Sequence, residues 1–225
     1  FSSFNHPDKL SVDHDAHTVT LDYVGGDHFV VYNGLDHKLN SFVWEADIDI
    51  QPGLEIQSAA LIFGFPSPAA ASSNWYGANL DSTRLGGDNA FRFFGPNIDT
   101  NSGGSVDGID ITKTLHFKVD VHATGAFVYT FGNAGGTLKE ISGQISGWRN
   151  GGYVGLLTWN SGATFSNIMF EEREEPIVIP DFGTITVTDG FQYNNNVTTA
   201  ANLSDLRTQG GTWEARSDGL YSNAV

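Results

Sequence analysis

The sequence predicts an all-β protein, an antiparallel two-sheet β-sandwich. Three observations carry this expectation. Apolar and polar residues alternate with period two through most of residues 1–172, turn signals punctuate the alternation at short intervals, and no amphipathic helix stands out in that range. The composition agrees, since 27 Gly with 16 Phe, 5 Trp and 7 Tyr suit short strands, tight turns and an aromatic core.

Each strand follows from its own pattern. The segment 17–23 (HTVTLDY) alternates and is closed by Gly25-Gly26, and 28–33 (HFVVYN) ends at Asn33-Gly34. The clearest strand is 41–50. Phe42, Trp44, Ala46, Ile48 and Ile50 share one face, while Val43, Glu45, Asp47 and Asp49 share the other. That is one buried face and one wet one. Further strands are expected at 58–65 (SAALIFGF), 75–81 (WYGANLD), 90–94 (AFRFF), 115–121 (LHFKVDV), 126–131 (AFVYTF), 152–159 (GYVGLLTW) and 163–171 (ATFSNIMFE). Between them fall Gly86-Gly87-Asp88, Gly132-Asn133 and Gly135-Gly136. The stretches 66–74 and 95–114 are rich in Pro, Ser, Gly and Asn and read as loops, a common place for functional residues.

The texture changes after residue 172. The charged run Glu171-Glu172-Arg173-Glu174-Glu175-Pro176 reads as the start of a linker over 173–181. Residues 182–225 then resemble the opening of the first domain, so they are expected to begin a second, truncated copy. The alternative is that they add strands to the first sheet.

Charge excludes some partners. Eleven Lys and Arg against 26 Asp and Glu give a net charge of −15, which repels phosphate backbones and anionic bilayers. No apolar run approaches the roughly 20 residues that span a membrane. With no Cys there are no disulfides and no thiolate metal sites. A neutral polysaccharide fits such a surface.

The run Gly152-Tyr153-Val154-Gly155-Leu156-Leu157-Thr158-Trp159-Asn160-Ser161-Gly162-Ala163-Thr164-Phe165-Ser166-Asn167-Ile168 resembles the terminal hairpin of the fructan-binding modules of carbohydrate-binding module family 66, which are attached to levanases and other fructan-cleaving glycoside hydrolases. Phe42-Val43-Trp44-Glu45-Ala46-Asp47, Ser58-Ala59-Ala60-Leu61-Ile62-Phe63 and Trp75-Tyr76-Gly77-Ala78-Asn79-Leu80-Asp81 agree with it in the family's order, covering roughly residues 10–170. The resemblance implies a concanavalin-like jelly-roll sandwich, β-fructan (levan or inulin) as ligand, a covalently linked catalytic domain and an extracellular or cell-surface location in a bacterium. One departure stands out. Relatives often carry Arg after the strand ending in Phe63, where this chain has Gly64-Phe65-Pro66.

Sugar recognition needs aromatic rings for the apolar face of the ring and polar groups for its hydroxyls. The expected ligand-binding set is Glu45, Trp75, Tyr76, Asn79, Asp81, Arg84, Trp159 and Asn160, with no catalytic residue. Trp148, in a Gly-flanked turn, is weighed with these, and Trp44 is assigned to the core. Arg92 is read first as one half of an Arg–Asp surface pair. Glu45, Asp47 and Asp49 at i, i+2, i+4 also offer an enzyme reading, a glycoside hydrolase or lyase, and a third reading is a surface adhesive repeat. Asp13-His14-Asp15-Ala16-His17 reads as a solvated turn. No cofactor is required, although Asp99, Asp107 and Asp110 could supply oxygens to a structural Ca²⁺.

Overall fold

A computed structural model describes residues 1–3, 5–52, 57–69, 75–81, 90–98, 103–149 and 151–173, together with the backbone of 207–208, 211–216 and 219–224. Two compact units divide the chain, Phe1–Glu175 and Pro176–Val225. The first is an antiparallel sandwich. Its strands are β1 (Ser2–Ser3), β2 (Leu10–Asp13), β3 (Thr18–Leu21), β4 (Asp27–Val31), β5 (Phe42–Ile50), β6 (Ser58–Phe65), β7 (Tyr76–Asp81), β8 (Phe91–Phe94), β9 (Gly103–Gly104), β10 (Leu115–Val121), β11 (Ala126–Asn133), β12 (Leu138–Gln144), β13 (Tyr153–Trp159) and β14 (Ala163–Glu172). A 3-10 turn at Pro7–Lys9 is the helical element among the described residues. The second unit holds β15 (Arg207–Thr208), β16 (Gly211–Arg216) and β17 (Gly219–Ala224) in a sheet of their own.

The front sheet runs β1-β4-β13-β6-β7-β8-β9 and the back sheet β12-β11-β10-β5-β14-β3-β2. Half of the strand neighbours are consecutive hairpin partners, and the other half, among them β4-β13, β13-β6, β10-β5 and β5-β14, are distant in sequence, as crossing between two sheets requires. All ten expected strands of the first unit form, with ends shifted by a residue or two. The alternation failed to mark β1, β2, β9 and β12. The first and third are two residues long, and β2 and β12 are edges of the back sheet that bury little, Ile141 being the buried residue of β12.

Between the sheets lies an aromatic core. Trp44, Phe42, Phe63, Phe91, Phe117, Phe127, Tyr129, Phe131 and Phe165 are each almost wholly excluded from solvent. Rings meet across the layers: Phe93 stacks on Phe127 with centroids 3.7 Å apart and Phe91 on Phe131 at 4.4 Å. Trp44 takes the core role read from its parity, and its indole N–H donates to the Gly155 carbonyl at 3.2 Å. Trp148 is also core, capped by donation to the Asn40 carbonyl at 2.8 Å.

The wet face of β5 explains its carboxylates. Glu45 lies opposite Lys118 and Asp47 opposite His116 in the β5–β10 register, with ion-pair distances of 3.4 and 2.8 Å. Asp49 accepts from the Thr114 hydroxyl at 2.6 Å. These are cross-strand pairs of the kind that fasten a sheet.

The ladder between β6 and β13 carries one irregularity. Tyr153 pairs with Phe65 but Val154 pairs with Phe63, so Gly64 is an extra residue in β6. Its φ of +87° is ordinary for glycine and strained for other residues. The bulge turns Phe65 to the outer face of the front sheet, where it joins Val31, Ala60, Ile62 and Leu157 in a small apolar layer packed against Phe29, Trp75 and Tyr153.

Candidate functional site

The outer face of the front sheet can be built rung by rung. Asp27 pairs with Trp159, Thr158 pairs with Ala59, and Ser58 pairs with Asp81. One outward row therefore runs Asp27, Trp159, Ser58, Asp81 across β4, β13, β6 and β7. The next row runs Phe29, Leu157, Ala60, Asn79, Arg92, and the one beyond it Val31, Gly155, Ile62, Gly77, Phe94. Small residues in the middle and large ones at the sides make a hollow.

That hollow is a pocket of about 320 Å³ lined by Asp27, Ser58, Trp75, Asn79, Asp81, Arg92, Phe94, Leu157 and Trp159. Gly77 is what lets two of its walls exist, because a Cβ there would collide with the Phe94 ring and crowd Trp75. Trp75 is fixed from three sides. It meets Phe94 edge-on at 5.0 Å and Phe29 edge-on at 5.2 Å, and lies parallel to Phe65 at 6.3 Å with an interplanar angle of 4°. The Gly64 bulge thus acts on the pocket through Phe65.

The polar side of the pocket is a coupled trio. Arg92 Nε donates to Asn79 Oδ1 at 3.2 Å, one guanidinium nitrogen lies 3.5 Å from an Asp81 carboxylate oxygen, and the guanidinium carbon sits 5.1 Å from the Phe94 centroid. Asp81 and Asn79 are each 4 % exposed, so their positions are set by the sheet and by Arg92. Asp27, at the rim, is held above the ordinary carboxylate range by partial desolvation. At the foot of that wall, Asn160 accepts from the Gly26 N–H at 2.6 Å while its own N–H donates back to the Gly26 carbonyl at 2.9 Å. Chemically, the arrangement offers carboxylate acceptors, guanidinium and amide donors, and flat apolar walls in one concavity.

Of the residues singled out in the sequence, Trp75, Asn79, Asp81 and Trp159 come together here. Tyr76 does not. It faces inward, stacked on Phe63 at 5.5 Å and edge-on to Trp148 at 5.5 Å. Asn160 braces the β4–β13 end and is not among the lining residues. Glu45 lies on the outer face of the back sheet, paired with Lys118, away from the pocket. Arg84 falls outside the described residues, as do Asp88 and Asp99.

Sequence reasoning missed Asp27, Ser58 and Phe94, and it read Arg92 as a surface pair. Arg92 is indeed paired with an aspartate, but inside the pocket. Parity was the available signal: Asn79, Asp81 and Trp75 are odd-numbered on one strand, which places them together and excludes Tyr76.

Asp13 and Asp110 are engaged by local partners, and Asp99 lies outside the described residues. Asp13 accepts from the N–H groups of Asp15 and Ala16, each at 2.9 Å, and so closes its own turn. Asp110 is engaged by the Thr112 N–H and hydroxyl at 3.0 and 2.6 Å and by Lys113 at 3.5 Å. Among the described residues, no three His, Asp or Glu side chains form a group that could hold an ion.

No family model and no curated protein matches this chain. Solved structures do. Carbohydrate binding module CBM66 from Bacillus subtilis superposes with a TM-score of 0.51 at 21 % identity, covering 72 % of this chain and 90 % of that one. A functionally unknown protein from Saccharomyces cerevisiae gives 0.53 at 14 %, covering 77 % and 97 %. The VIP36 exoplasmic/lumenal domain, in its Ca²⁺/Man3GlcNAc-bound form, gives 0.50 at 11 %, covering 75 % and 83 %. At these identities the likeness establishes the sandwich fold.

Proposed function

We propose that the protein is a non-catalytic carbohydrate-binding module whose ligand site is the pocket on the outer face of the front sheet. The observation that carries this reading is the convergence of Asp81, Asn79 and Arg92 with the rings of Trp75, Phe94 and Trp159 in a hollow the size of a sugar unit. Carboxylate and guanidinium groups bind hydroxyl pairs, and indole faces cover the apolar side of a sugar ring. The fold's likeness to a module named for carbohydrate binding supports it.

Within that class we assign β-fructan, levan or inulin, on the family-like motifs at 42–47, 58–63, 75–81 and 152–168. The module would keep a linked glycoside hydrolase at its polysaccharide outside the cell, raising effective concentration without chemistry of its own. Asp27, Trp75, Asn79, Asp81, Arg92 and Trp159 form the proposed contact set. Glu45 and Tyr76 leave it, and Asn160 acts by bracing the wall.

Isothermal titration with levan, inulin and laminarin tests the reading. Heat is expected with levan or inulin. Binding to laminarin alone would remove the fructan assignment, and silence with all three would remove the function. Asp81→Asn removes a charge-assisted hydrogen bond worth about 1.5–3 kcal/mol, so affinity should fall on the order of 10- to 100-fold with the fold intact.

A further inference from the structure

We propose that the pocket carries a pH-sensitive gate, a buried histidine, His28, directly behind its Asp27–Trp159 wall. This rests on the sugar-binding reading of that pocket. Asp27 and Trp159 are a cross-strand pair pointing outward, and the adjacent pair, His28 and Thr158, points inward. Both inward side chains are completely excluded from solvent.

Their hydrogen bonding is incomplete. His28 Nε2 lies 3.2 Å from Ser3 Oγ, and that hydroxyl also accepts from the His6 N–H at 3.2 Å. His28 Nδ1 and Thr158 Oγ1 are buried and form no hydrogen bond with any of the described residues. A neutral imidazole leaves one nitrogen unsatisfied. An imidazolium needs an acceptor at both, and Nδ1 has none in bonding geometry, so charging the ring leaves a buried cation that the Asp22 carbonyl and nearby carboxylates only partly offset.

Three charged or titratable side chains face the ring from neighbouring segments. His6, just before the 3-10 turn, presents its ring edge-on at 5.6 Å and adds repulsion when protonated. Asp8 in that turn and Asp22 after β3 attract the cation, Asp22 through its backbone carbonyl as well as its charge. Burial outweighs that attraction and holds His28 below its ordinary value. An unfolded or opened chain takes up a proton near pH 6.5 that the closed form refuses, so closure weakens as pH falls through that value.

Relief is at hand on the edge. The outer strand β1 is two residues long, and beyond the last β4–β13 pair, Asp27–Trp159, this end is closed by the two hydrogen bonds between Gly26 and Asn160. Releasing that end lets His28 reach water, and it removes two pocket-lining residues in the same motion. Protonation and ligand loss are thereby coupled, because the ligand binds only the closed form.

The test pairs a ligand-free titration with a binding series. By NMR, the His28 ring and the Trp159 indole of the whole protein should titrate together over one interval, with a shared midpoint below that of a free histidine. Over the same interval levan affinity should fall about tenfold. His28→Gln should keep the affinity of the neutral protein and lose most of this dependence. A Trp159 signal unmoved while His28 charges, or a His28 that stays neutral until the whole protein unfolds in acid, overturns the proposal. So does a full affinity loss persisting in His28→Gln, which would assign it to the Asp27 carboxyl. Joint titration without levan binding at any pH would uphold the gate and refute the sugar reading.

Discussion

Single residues decide which groups reach the pocket. Tyr76 illustrates how parity works, since its neighbours on both sides, Trp75 and Gly77, lie on the outer face of the sheet while its own ring goes inward against Phe63. Gly152 shows a harder constraint. A Cβ there would overlap the Gly64 backbone, so Gly152→Ala should cost about 1–3 kcal/mol in denaturant unfolding by overpacking the bulge. His37 makes a different kind of prediction. Asp36 and Glu172 lie 2.6 and 2.8 Å from its two ring nitrogens and raise its affinity for a proton above the ordinary value. Its contribution is present below about pH 6.5 and is lost as pH rises through the higher folded value. An NMR titration should find the midpoint above that of a free histidine, and Glu172→Gln should bring it down.

Strands were the most legible level of the sequence, where alternation was long. β5 reads correctly from end to end because its buried face is apolar over five positions and its exposed face is charged over three. What could not be read was pairing. Nothing in 41–50 says that Lys118 and His116 will stand opposite Glu45 and Asp47, and so three acids at every second residue looked like available chemistry. Paired as they are, Glu45→Gln should cost under about 1 kcal/mol and leave sugar affinity unchanged. Lost binding in that variant would move the ligand to the back sheet. The same blindness hid Asp27 and Ser58, which become pocket residues only through register with β13 and β7. Phe65 shows a further limit of parity, since strict alternation would put it on the core side with Phe63 and the extra residue at Gly64 sends it out.

At the level of the whole molecule, the sandwich follows from the number and punctuation of strands, and the solved structures share it. We further propose that 173–181 is a linker and that 182–225 opens a second copy. Residues 1–175 prepared alone should then melt at the temperature of the first transition of the entire chain, monitored by circular dichroism or calorimetry. A drop of several degrees would show that the later strands complete the first domain. The excess of 15 negative charges predicts no binding to DNA or to anionic vesicles at physiological salt, checked by gel shift and flotation.

The extra residue in β6 also bears on anyone who would borrow or redesign this site. Copying only the segment from Pro66 to Trp75 onto a sister scaffold would deliver an indole with no backing, because its parallel neighbour Phe65 would then swing toward the interior. Gly64, Phe65 and Gly152 have to travel with Trp75 as one cassette, even though Gly152 lies almost ninety positions away in the chain (about 88 by subtraction from Gly64).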